Sequence, residues 1–281
     1  MQSTPYRISR EISLGTGATS SGMANPMSSA IGGKKFTVIA GPCSIESLAQ
    51  LYEIAESVKK SGASALRGGI YKMRTSPDSF QGLGPEAYEI VSQVTRKIGL
   101  PMVSEITDAS QMAAMGEVVD VFQVGARNMH NTELLKALGS AGKPVLLKRG
   151  LSAYLDELLA AAEYIVRAGN PDVILCERGI RSFERATRNT LDLSAVPYLK
   201  ARTELPVIVD PSHATGVAAL VPAMCLAAAA AGADGLLIEV HGRPAEAISD
   251  GYQALDLATF DSMMNGLKRV LGAVERPLRT V

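Results

Sequence analysis

The strongest constraint on the fold of this chain is a strand-and-helix unit that recurs eight times. In each unit a short apolar run ends in polar or glycine residues, and a segment with helical spacing follows. The runs are Phe36–Ala40, Ala65–Gly68, Pro101–Glu105, Val121–Gly125, Pro144–Lys148, Val173–Glu177, Pro206–Asp210 and Gly235–Glu239. Alternating strands and helices are typical of parallel βαβ units, and eight units predict a closed (β/α)8 TIM barrel. A doubly wound open sheet is the alternative, but the first run lacks its usual glycine-rich fingerprint.

The segments between the runs support this interpretation. Apolar residues recur at helical spacing in Ser47–Lys60 and again in Ser152–Arg167. The length of 281 residues fits one barrel, and 47% hydrophobic residues suffice for a large core. We expect residues 34–281 to form a catalytic barrel. Residues 1–33 are expected to form an N-terminal extension, either a loose hairpin or a partly disordered segment.

Charge and cysteine content limit the class of partner and the compartment. Lys plus Arg and Asp plus Glu both number 28, so no global charge favours nucleic acid or an anionic membrane. Three cysteines are too few for a disulfide framework and indicate a reducing compartment. The first residues lack the apolar core of a secretory signal, and no apolar run is long enough to span a bilayer. We therefore expect a cytoplasmic protein.

The residues at the ends of the runs carry the candidate chemistry, because active sites of TIM barrels lie at the carboxyl ends of the strands. Seven cations follow four of the runs: Arg67, Lys72, Arg74, Arg127, Lys148, Arg149 and Arg178. Converging cations repel one another unless an anion compensates them, so the set predicts a ligand with two phosphates, or with a phosphate and a carboxylate. The structural alternative is that some of them pair with Glu105, Glu177 and Asp210.

A second set predicts a metal site. Cys43, His213 and Glu239 lie at the ends of the first, seventh and eighth runs, and Asp250 follows the eighth. These runs are neighbours in a closed barrel. Sulfur, nitrogen and oxygen ligands together suit one divalent Mn, Fe, Co or Zn ion. Singly, Cys43 also fits a small buried residue, His213 a helix cap and Asp250 a surface charge.

Two further assignments complete the candidate chemistry. Lys148 at a strand end is also placed to form a Schiff base with a carbonyl substrate. We favour an anion-binding role for it, because a metal site makes an imine unnecessary. Cys176 and Cys225 have no comparable neighbours in the sequence and are assigned to the core.

The chain resembles a known family, the short type Iβ 3-deoxy-D-arabino-heptulosonate 7-phosphate (DAHP) synthases. The resemblance runs from about Gly33 to the C-terminal helix. It rests on AGPCSIES (40–47), KMRTSP (72–77), GARNM (125–129), LLKRGLSA (146–153), CERGIRSFE (176–184), TRNTLDLSAVP (187–197), VDPSHATG (209–216) and EVHGRPAEAISDG (239–251).

The resemblance implies a role for each matching residue. It implies that the metal ligands are Cys43, His213, Glu239 and Asp250. It implies that phosphoenolpyruvate is bound by Arg67, Lys72, Arg127, Lys148 and Arg178, and the aldose phosphate by Arg74, Thr75 and Ser76 in the loop that begins at Lys72. Lys72 and His213 are the expected catalytic residues, and Glu105 or a metal-bound water are further candidates for proton transfer.

The implied reaction condenses phosphoenolpyruvate with D-erythrose 4-phosphate, the first step of the shikimate pathway. Related 3-deoxy-octulosonate 8-phosphate synthases carry Asn-Arg-Ser where this chain has Arg74-Thr75-Ser76, which favours a four-carbon acceptor. The chain departs from the family at Met73, at His130 and at Gly242-Arg243, where Arg243 adds a candidate cation near the mouth. A paralogue that uses another aldose phosphate therefore stays open. A non-catalytic binding barrel would predict a broken ligand set, and the sequence shows none.

The resemblance also implies a homodimer or homotetramer. No chorismate mutase helix set is recognisable, and the first 33 residues are too few for a ferredoxin-like regulatory domain. Built-in feedback inhibition is therefore not expected. Regulation by a partner protein such as chorismate mutase is left open.

Overall fold

Eight parallel strands form a closed barrel in this computed structural model, which describes residues 11–14, 29–74 and 76–280. The barrel strands are β3 (Thr37–Gly41), β4 (Ala65–Arg67), β5 (Met102–Ile106), β6 (Val121–Val124), β7 (Val145–Lys148), β8 (Val173–Glu177), β9 (Val207–Val209) and β10 (Gly235–Glu239). Each strand pairs with its neighbour in chain order, and β10 closes the barrel on β3 with Gly235 opposite Thr37. The predicted (β/α)8 barrel is confirmed.

The observed strands differ from the predicted runs by at most one residue at either end, and β8 and β10 match their runs in full. Three predicted runs begin with proline, at Pro101, Pro144 and Pro206, and in each case the strand begins one residue later. Proline has no backbone N–H to donate to the neighbouring strand, so it precedes the ladder.

Helices cover the outside of the barrel. They are α1 (Leu48–Ser61), α2 (Glu86–Ile98), α3 (Met112–Gly116), α4 (Thr132–Leu138), α5 (Leu155–Arg167), α6 (Ala195–Lys200), α7 (Pro211–Thr215), α8 (Val221–Ala230) and α9 (Leu257–Ala273). Ser47 caps α1 by accepting from the Gln50 N–H, which fixes the start near the predicted residue. α5 begins three residues later than predicted, because the Glu157 side chain accepts from the Tyr154 N–H and places the helix start there.

The amino-terminal end of the barrel is filled by a residue from outside it. β1 (Glu11–Leu14) pairs antiparallel with β2 (Ser29–Gly32). Ile31 of β2 is fully buried in the inner cluster of the barrel, which also contains Ile39, Ala65, Val103, Val121, Leu146, Ile174, Cys176, Ile208 and Leu237. The division of the chain at residue 33 stays a prediction, and residues 1–10 and 15–28 of the predicted extension lie outside the described residues. Among the described helices, none combines the length and apolarity needed to cross a membrane.

Candidate active site

A cavity of about 310 Å³ opens at the carboxyl ends of the barrel strands. Seven cationic side chains of the described chain line it: Arg67, Lys72, Arg74, Arg127, Lys148, Arg178 and Arg188. Ser76 lines the same cavity, whereas Thr75, the remaining predicted contact to the aldose phosphate, lies outside the described residues. The volume falls in the range of small-ligand sites. The lining makes it suited to a small, multiply charged anion.

Four potential metal ligands meet on one side of this mouth. One ligand atom each from Cys43, His213, Glu239 and Asp250 lies within 4.8 Å of all the others. Cys43 follows β3, His213 lies on α7 after β9, Glu239 is the last residue of β10, and Asp250 precedes a short 3-10 turn. Barrel closure brings these strand ends together, and the donor set of S, N and two O atoms fits a borderline divalent metal.

His213 is oriented by Asp210. The Asp210 carboxylate caps α7 by accepting from the His213 backbone N–H at 2.9 Å, and its Oδ2 lies 2.7 Å from Nδ1 of the same histidine. A carboxylate can only accept, so Nδ1 carries the proton and the Nε2 lone pair faces the cluster, 3.3 Å from Glu239 Oε1. Burial lowers the pKa of His213 to about 4, although Asp210 opposes the shift. The imidazole is therefore neutral at physiological pH, as metal ligation requires.

Glu239 is fully buried, and one of its oxygens accepts no hydrogen bond from any residue that the structure describes. Its Oε2 accepts from Gln253 Nε2 at 2.5 Å, whereas Oε1 lies 3.2 Å from Arg67 Nη1 in an ion pair without hydrogen-bond geometry. Burial raises the pKa of Glu239, but the charges of His213 and Arg67 lower it by more, so the net shift is downward. A buried, charged and incompletely bonded oxygen in this position fits a metal ligand.

Among the described residues, Cys43 has three polar side-chain neighbours within hydrogen-bond distance, Lys72, Asp250 and Ser249, whose hydroxyl donates to Sγ at 3.5 Å. Lys72 Nζ lies 2.7 Å from Sγ, and the thiol is placed to donate to Asp250 Oδ2 at 3.1 Å. Burial, followed by the charge of Glu239, raises the pKa of the Cys43 thiol to about 12. The geometry to Lys72 would suit a thiolate, but desolvation dominates and keeps the thiol protonated. A bound divalent cation converts such a thiol to a thiolate.

Asp250 adopts a backbone conformation that is rare for residues other than glycine, with φ of 55°. Its Oδ2 also lies 3.6 Å from Arg74 Nη1. Burial raises the pKa of Asp250, but Lys72 and the hydrogen bond from Cys43 outweigh it and hold the pKa well below its usual range. Strained backbone of this kind persists where the surroundings enforce it and is common at functional sites.

Lys148 and Arg178 lie deeper in the cavity and are both buried. Lys148 Nζ donates to Asp210 Oδ2 at 2.6 Å, and Arg178 donates to the backbone oxygens of Gly179 and His213. A Schiff base at Lys148 would first have to break this buried ion pair. The geometry thus favours the anion-binding interpretation of Lys148 over the imine alternative.

Arg149 does not join the cationic set, contrary to the expectation from sequence. Its guanidinium donates to Glu177 at 2.8 Å and Asp192 at 3.1 Å, and its Nε donates to the Ala153 carbonyl. Successive side chains leave a strand on opposite faces, so Arg149 turns away from the cavity that its neighbour Lys148 enters.

The three departures from the family pattern lie in different places. Met73 lines the cavity. His130 is exposed, and Arg243 is exposed and paired with Glu246 at 3.2 Å. The prediction that Arg243 adds a cation at the mouth is therefore wrong. Its side chain is exposed and forms a local ion pair with Glu246.

Sequence reasoning missed several residues that the structure brings to the site, among them Arg188, Tyr252 and Gln253. Arg188 and Tyr252 line the cavity, and Gln253 is buried against Glu239. Glu105, named only as a proton-transfer candidate, also lines the cavity; a Cβ at Gly125 would lie 2.2 Å from its Oε1. A glycine at position 125 leaves room for the Glu105 carboxylate. This glycine was therefore a feature of the sequence that pointed to Glu105.

A second cavity of about 400 Å³ lies at the opposite end of the barrel, beside Gly32 and Gly33. Two acidic residues, Glu204 and Asp234, line it, and Asp234 is already paired with Lys200 and Arg276. The chemistry of the described residues therefore points to the carboxyl-terminal mouth.

The closed barrel, the metal-ligand group and the cationic cavity together define an enzyme-like TIM-barrel site for anionic ligands. The model of the DAHP synthetase I family matches residues 20–273. The chain belongs to this family, as the motifs in its sequence predicted.

Individual relatives agree with this assignment. "Phospho-2-dehydro-3-deoxyheptonate aldolase" of Thermotoga maritima is 47% identical over 244 residues, which cover 87% of this chain and 72% of the relative. "2-dehydro-3-deoxyphosphooctonate aldolase" of Koribacter versatilis is 34% identical over 268 residues, covering 88% and 95%. The crystal structure of the Thermotoga maritima DAHP synthase superimposes with a TM-score of 0.86 at 45% identity, covering 89% of this chain and 73% of that one. A truncated form of the Thermotoga enzyme gives 0.85 at 40% identity, covering 96% and 95%.

Proposed function

We propose that this chain condenses phosphoenolpyruvate with D-erythrose 4-phosphate to give 3-deoxy-D-arabino-heptulosonate 7-phosphate and inorganic phosphate. The observation that carries the proposal is that the metal-ligand group and seven cations share one mouth of the barrel. Two anionic substrates would offset the cations, and one metal ion would offset the negative charge of the ligand group. The 47% identity to a Thermotoga protein with the heptonate name supports the same reaction.

Within this proposal the cations divide between the two substrates. Phosphoenolpyruvate would be held by Arg67, Lys72, Arg127, Lys148 and Arg178. The acceptor phosphate would be held by Arg74, Thr75 and Ser76, of which Arg74 and Ser76 line the cavity. Arginine forks suit carboxylate and phosphate oxygens, and lysine supplies a point charge.

The residues of the ligand group fit one divalent ion, with Mn, Fe, Co and Zn as the candidates. Cys43, His213, Glu239 and Asp250 would hold it, and the unbonded Oε1 of Glu239 supports the fit. When bound, the ion supplies Lewis-acid activation of the acceptor aldehyde.

The side chains of the protein would perform the remaining steps. The buried cations would hold the phosphoenolpyruvate C3 against the aldehyde carbon, and such orientation contributes about 7–11 kcal/mol in well-aligned reactions. As the carbon–carbon bond forms, the aldehyde π electrons move to its oxygen, which Lys72 Nζ would protonate. Water would then add to the electron-deficient C2 and give a proton to Glu105. The new C2 hydroxyl would give its proton to the departing phosphate as the C2 carbonyl forms, and the bond between C2 and the phosphate oxygen would break.

The acceptor is assigned to the four-carbon sugar. The Arg74-Thr75-Ser76 stretch and the higher identity to the heptonate enzyme, 47% against 34%, both support it. Arabinose 5-phosphate is the second candidate, because relatives named for the octonate product also match most of the chain.

Phosphate release from phosphoenolpyruvate tests the proposal. We expect turnover with erythrose 4-phosphate, little with arabinose 5-phosphate, loss with chelator and recovery with added Mn²⁺. Turnover that resists thorough chelation would refute the proposed metal requirement. Turnover with the five-carbon sugar alone would assign the chain to the enzymes named for the octonate product. Borohydride inactivation at Lys148 in the presence of substrate would support the imine alternative instead.

Two cysteine variants separate ligation from packing. Cys43→Ala should lose metal, whereas Cys176→Ala, which also removes a buried thiol at the barrel interior, should retain it. Unchanged metal content in Cys43→Ala would reject this residue as a ligand.

We further propose that the protein acts in the cytoplasm as a homodimer or homotetramer, with regulation, if any, by a partner protein such as chorismate mutase. The support is the family relationship and the balanced charge of the chain. Sedimentation of the purified chain, alone and with a chorismate mutase, tests the oligomeric state and the binding of a partner. A monomer would contradict the proposed homo-oligomer.

A further inference from the structure

A second layer of side chains supports the candidate metal ligands from the rim of the barrel. We infer that Arg188 and Gln253 form a relay that orients the Glu239 carboxylate and thereby sets the affinity for the metal. The inference rests on the proposed metal site and adds two positioning residues to it.

The inner member of the relay is Gln253. It is fully buried in the turn after Asp250, and its Nε2 donates to Glu239 Oε2 at 2.5 Å. A buried amide has to find partners for both its oxygen and its nitrogen. Because the carboxylate only accepts, the nitrogen must face Glu239 and the oxygen must face outward.

The outer member fixes that orientation. Arg188 Nη1 donates to Gln253 Oε1 at 2.8 Å, and a guanidinium has donors only. Flipping the amide would set nitrogen against guanidinium and oxygen against carboxylate, two unfavourable contacts at once. Arg188 thus holds the Gln253 amide in the one orientation that bonds to Glu239.

This arrangement determines the position of the second carboxylate oxygen of Glu239, Oε1. With Oε2 committed to Gln253, the carboxylate plane is fixed and Oε1 points at His213 Nε2, 3.3 Å away. Oε1 accepts no hydrogen bond within the described chain and is in an ion pair with Arg67 Nη1 at 3.2 Å, so it is the oxygen placed to meet a cation. The relay therefore selects which oxygen serves the metal.

Arg188 is itself held by two neighbouring loops. Its backbone N–H donates to the Thr215 carbonyl, and a Cβ at Gly216 would lie 2.5 Å from the Arg188 Cβ. Its Nη1 also donates to the Tyr252 hydroxyl at 3.2 Å, and that hydroxyl donates to Asp250 Oδ1 at 3.3 Å. One arginine thus supports partners of two ligands, Glu239 and Asp250.

Metal affinity of the full chain tests the relay without relying on turnover. Mn²⁺ is titrated into chelator-stripped protein against a competing chelator. We expect Gln253→Leu to weaken Mn²⁺ binding about 10–100-fold and Arg188→Met about tenfold, the range for partners of metal ligands. Arg188→Lys should recover part of the loss, because its ammonium can still donate to Gln253.

The matched control is Arg185→Met, an exposed arginine in the same loop, which should bind Mn²⁺ like the wild type. Arg188 lies at the rim with its side chain 30% exposed, so Arg188→Met stays informative if Gln253→Leu fails to fold. Unchanged Mn²⁺ affinity in Arg188→Met would overturn the relay.

The double variant tests whether the two residues act in series. Arg188 also supports Asp250 through Tyr252, so the combined variant should lose somewhat more affinity than Gln253→Leu alone, but less than the product of the two single losses. Losses that multiply in full would overturn the relay. Wild-type protein that binds no Mn²⁺ would refute the metal site itself. Normal wild-type binding with unaffected variants would refute only the relay.

Discussion

At the scale of single residues, Asp210 connects the two halves of the candidate site. Its Oδ2 lies 2.7 Å from His213 Nδ1 and accepts from Lys148 Nζ at 2.6 Å. His213 belongs to the metal-ligand group, whereas Lys148 lines the anion cavity. Burial raises the pKa of Asp210, but His213 and Lys148 outweigh it and hold the pKa well below its usual range. One buried carboxylate thus positions both a candidate metal ligand and a candidate substrate contact.

Replacing Asp210 by Asn keeps the size and the helix cap but removes the charge. We expect metal affinity to fall about 10–100-fold, because the amide no longer fixes the His213 tautomer and leaves Lys148 without its partner. Equilibrium titration with Mn²⁺ measures this. Glu177→Gln is the matched control, since that buried carboxylate serves Arg149 outside the cavity. Its metal affinity should be unchanged, and equal losses in both variants would contradict the proposed role.

The pH dependence of metal binding follows from two shifted pKa values. The Cys43 pKa of about 12 lies above the ordinary thiol value, so ligation must displace its proton throughout pH 5.5–7.5. The His213 pKa of about 4 lies below the ordinary imidazole value, so His213 has no proton to lose in that range. Affinity should therefore rise about tenfold per pH unit, with one proton released. A slope near zero in chelator-competition titrations would contradict thiolate ligation, and a slope near two at the acid end would contradict a neutral His213.

The sequence predicted the candidate ligands and most cations of the cavity, because both sets follow strand ends, whose position the periodicity predicts. It placed Arg149 in the cavity and overlooked Arg188. Arg149 continues a strand whose side chains alternate, whereas Arg188 lies in an irregular loop. The direction of a side chain in such a loop depends on tertiary contacts, here with Thr215 and Gly216. These residues belong to a different loop, so the periodicity of the strands does not predict the contacts.

At the scale of elements, the short helix α7 sets the position of His213. Asp210 caps its start, and Gly216 ends it with φ of 65°. The backbone N–H groups of Arg188 and Asn189 donate to Thr215 and Ala214 respectively, so the loop after β8 braces the helix. The cap pattern could be predicted from Asp-Pro-Ser-His and Gly, but the bracing could not, since it joins two different loops.

Gly216→Ala tests how this helix end supports the site. An alanine in the left-handed region costs about 1–2 kcal/mol, which corresponds to a fall in Tm of roughly 2–8 °C for a chain of this size. Gly142→Ala is the matched control, because its φ is 64° and no atom lies within 4 Å of the added Cβ. Both variants should lose stability in thermal unfolding. Only Gly216→Ala should also weaken Mn²⁺ binding, and equal metal affinities would contradict the link through Arg188.

At the scale of the whole molecule, the barrel has one open end. The mouth carries the cavity, and the opposite end receives Ile31 from β2 into the inner cluster. The periodicity of the runs predicted eight strands and their closure. It did not predict the position of Ile31, because a single buried side chain in a short antiparallel pair leaves no periodic signal.

Ile31→Ala should lower the free energy of unfolding by about 2–5 kcal/mol, the range for removing a large buried aliphatic side chain. The physical reason is a void at the centre of the barrel. Chemical denaturation measures the loss, and Ile248→Ala, at a 60% exposed isoleucine, should change it by less than about 0.5 kcal/mol. Similar stabilities for the two variants would show that residues 29–32 are not part of the barrel core.

The carboxylate of Asp210 has a thermodynamic consequence for the complete enzyme. A cation held by His213 Nε2 would polarise the Nδ1–H and draw the charge of Asp210 toward the imidazole, which would weaken the ion pair between Asp210 and Lys148. The released ammonium is then better able to meet an anionic substrate. Metal and phosphoenolpyruvate should therefore bind with positive heterotropic cooperativity, each tightening the other by the same factor. One shared oxygen would thus couple the two binding events, whichever ligand arrives first.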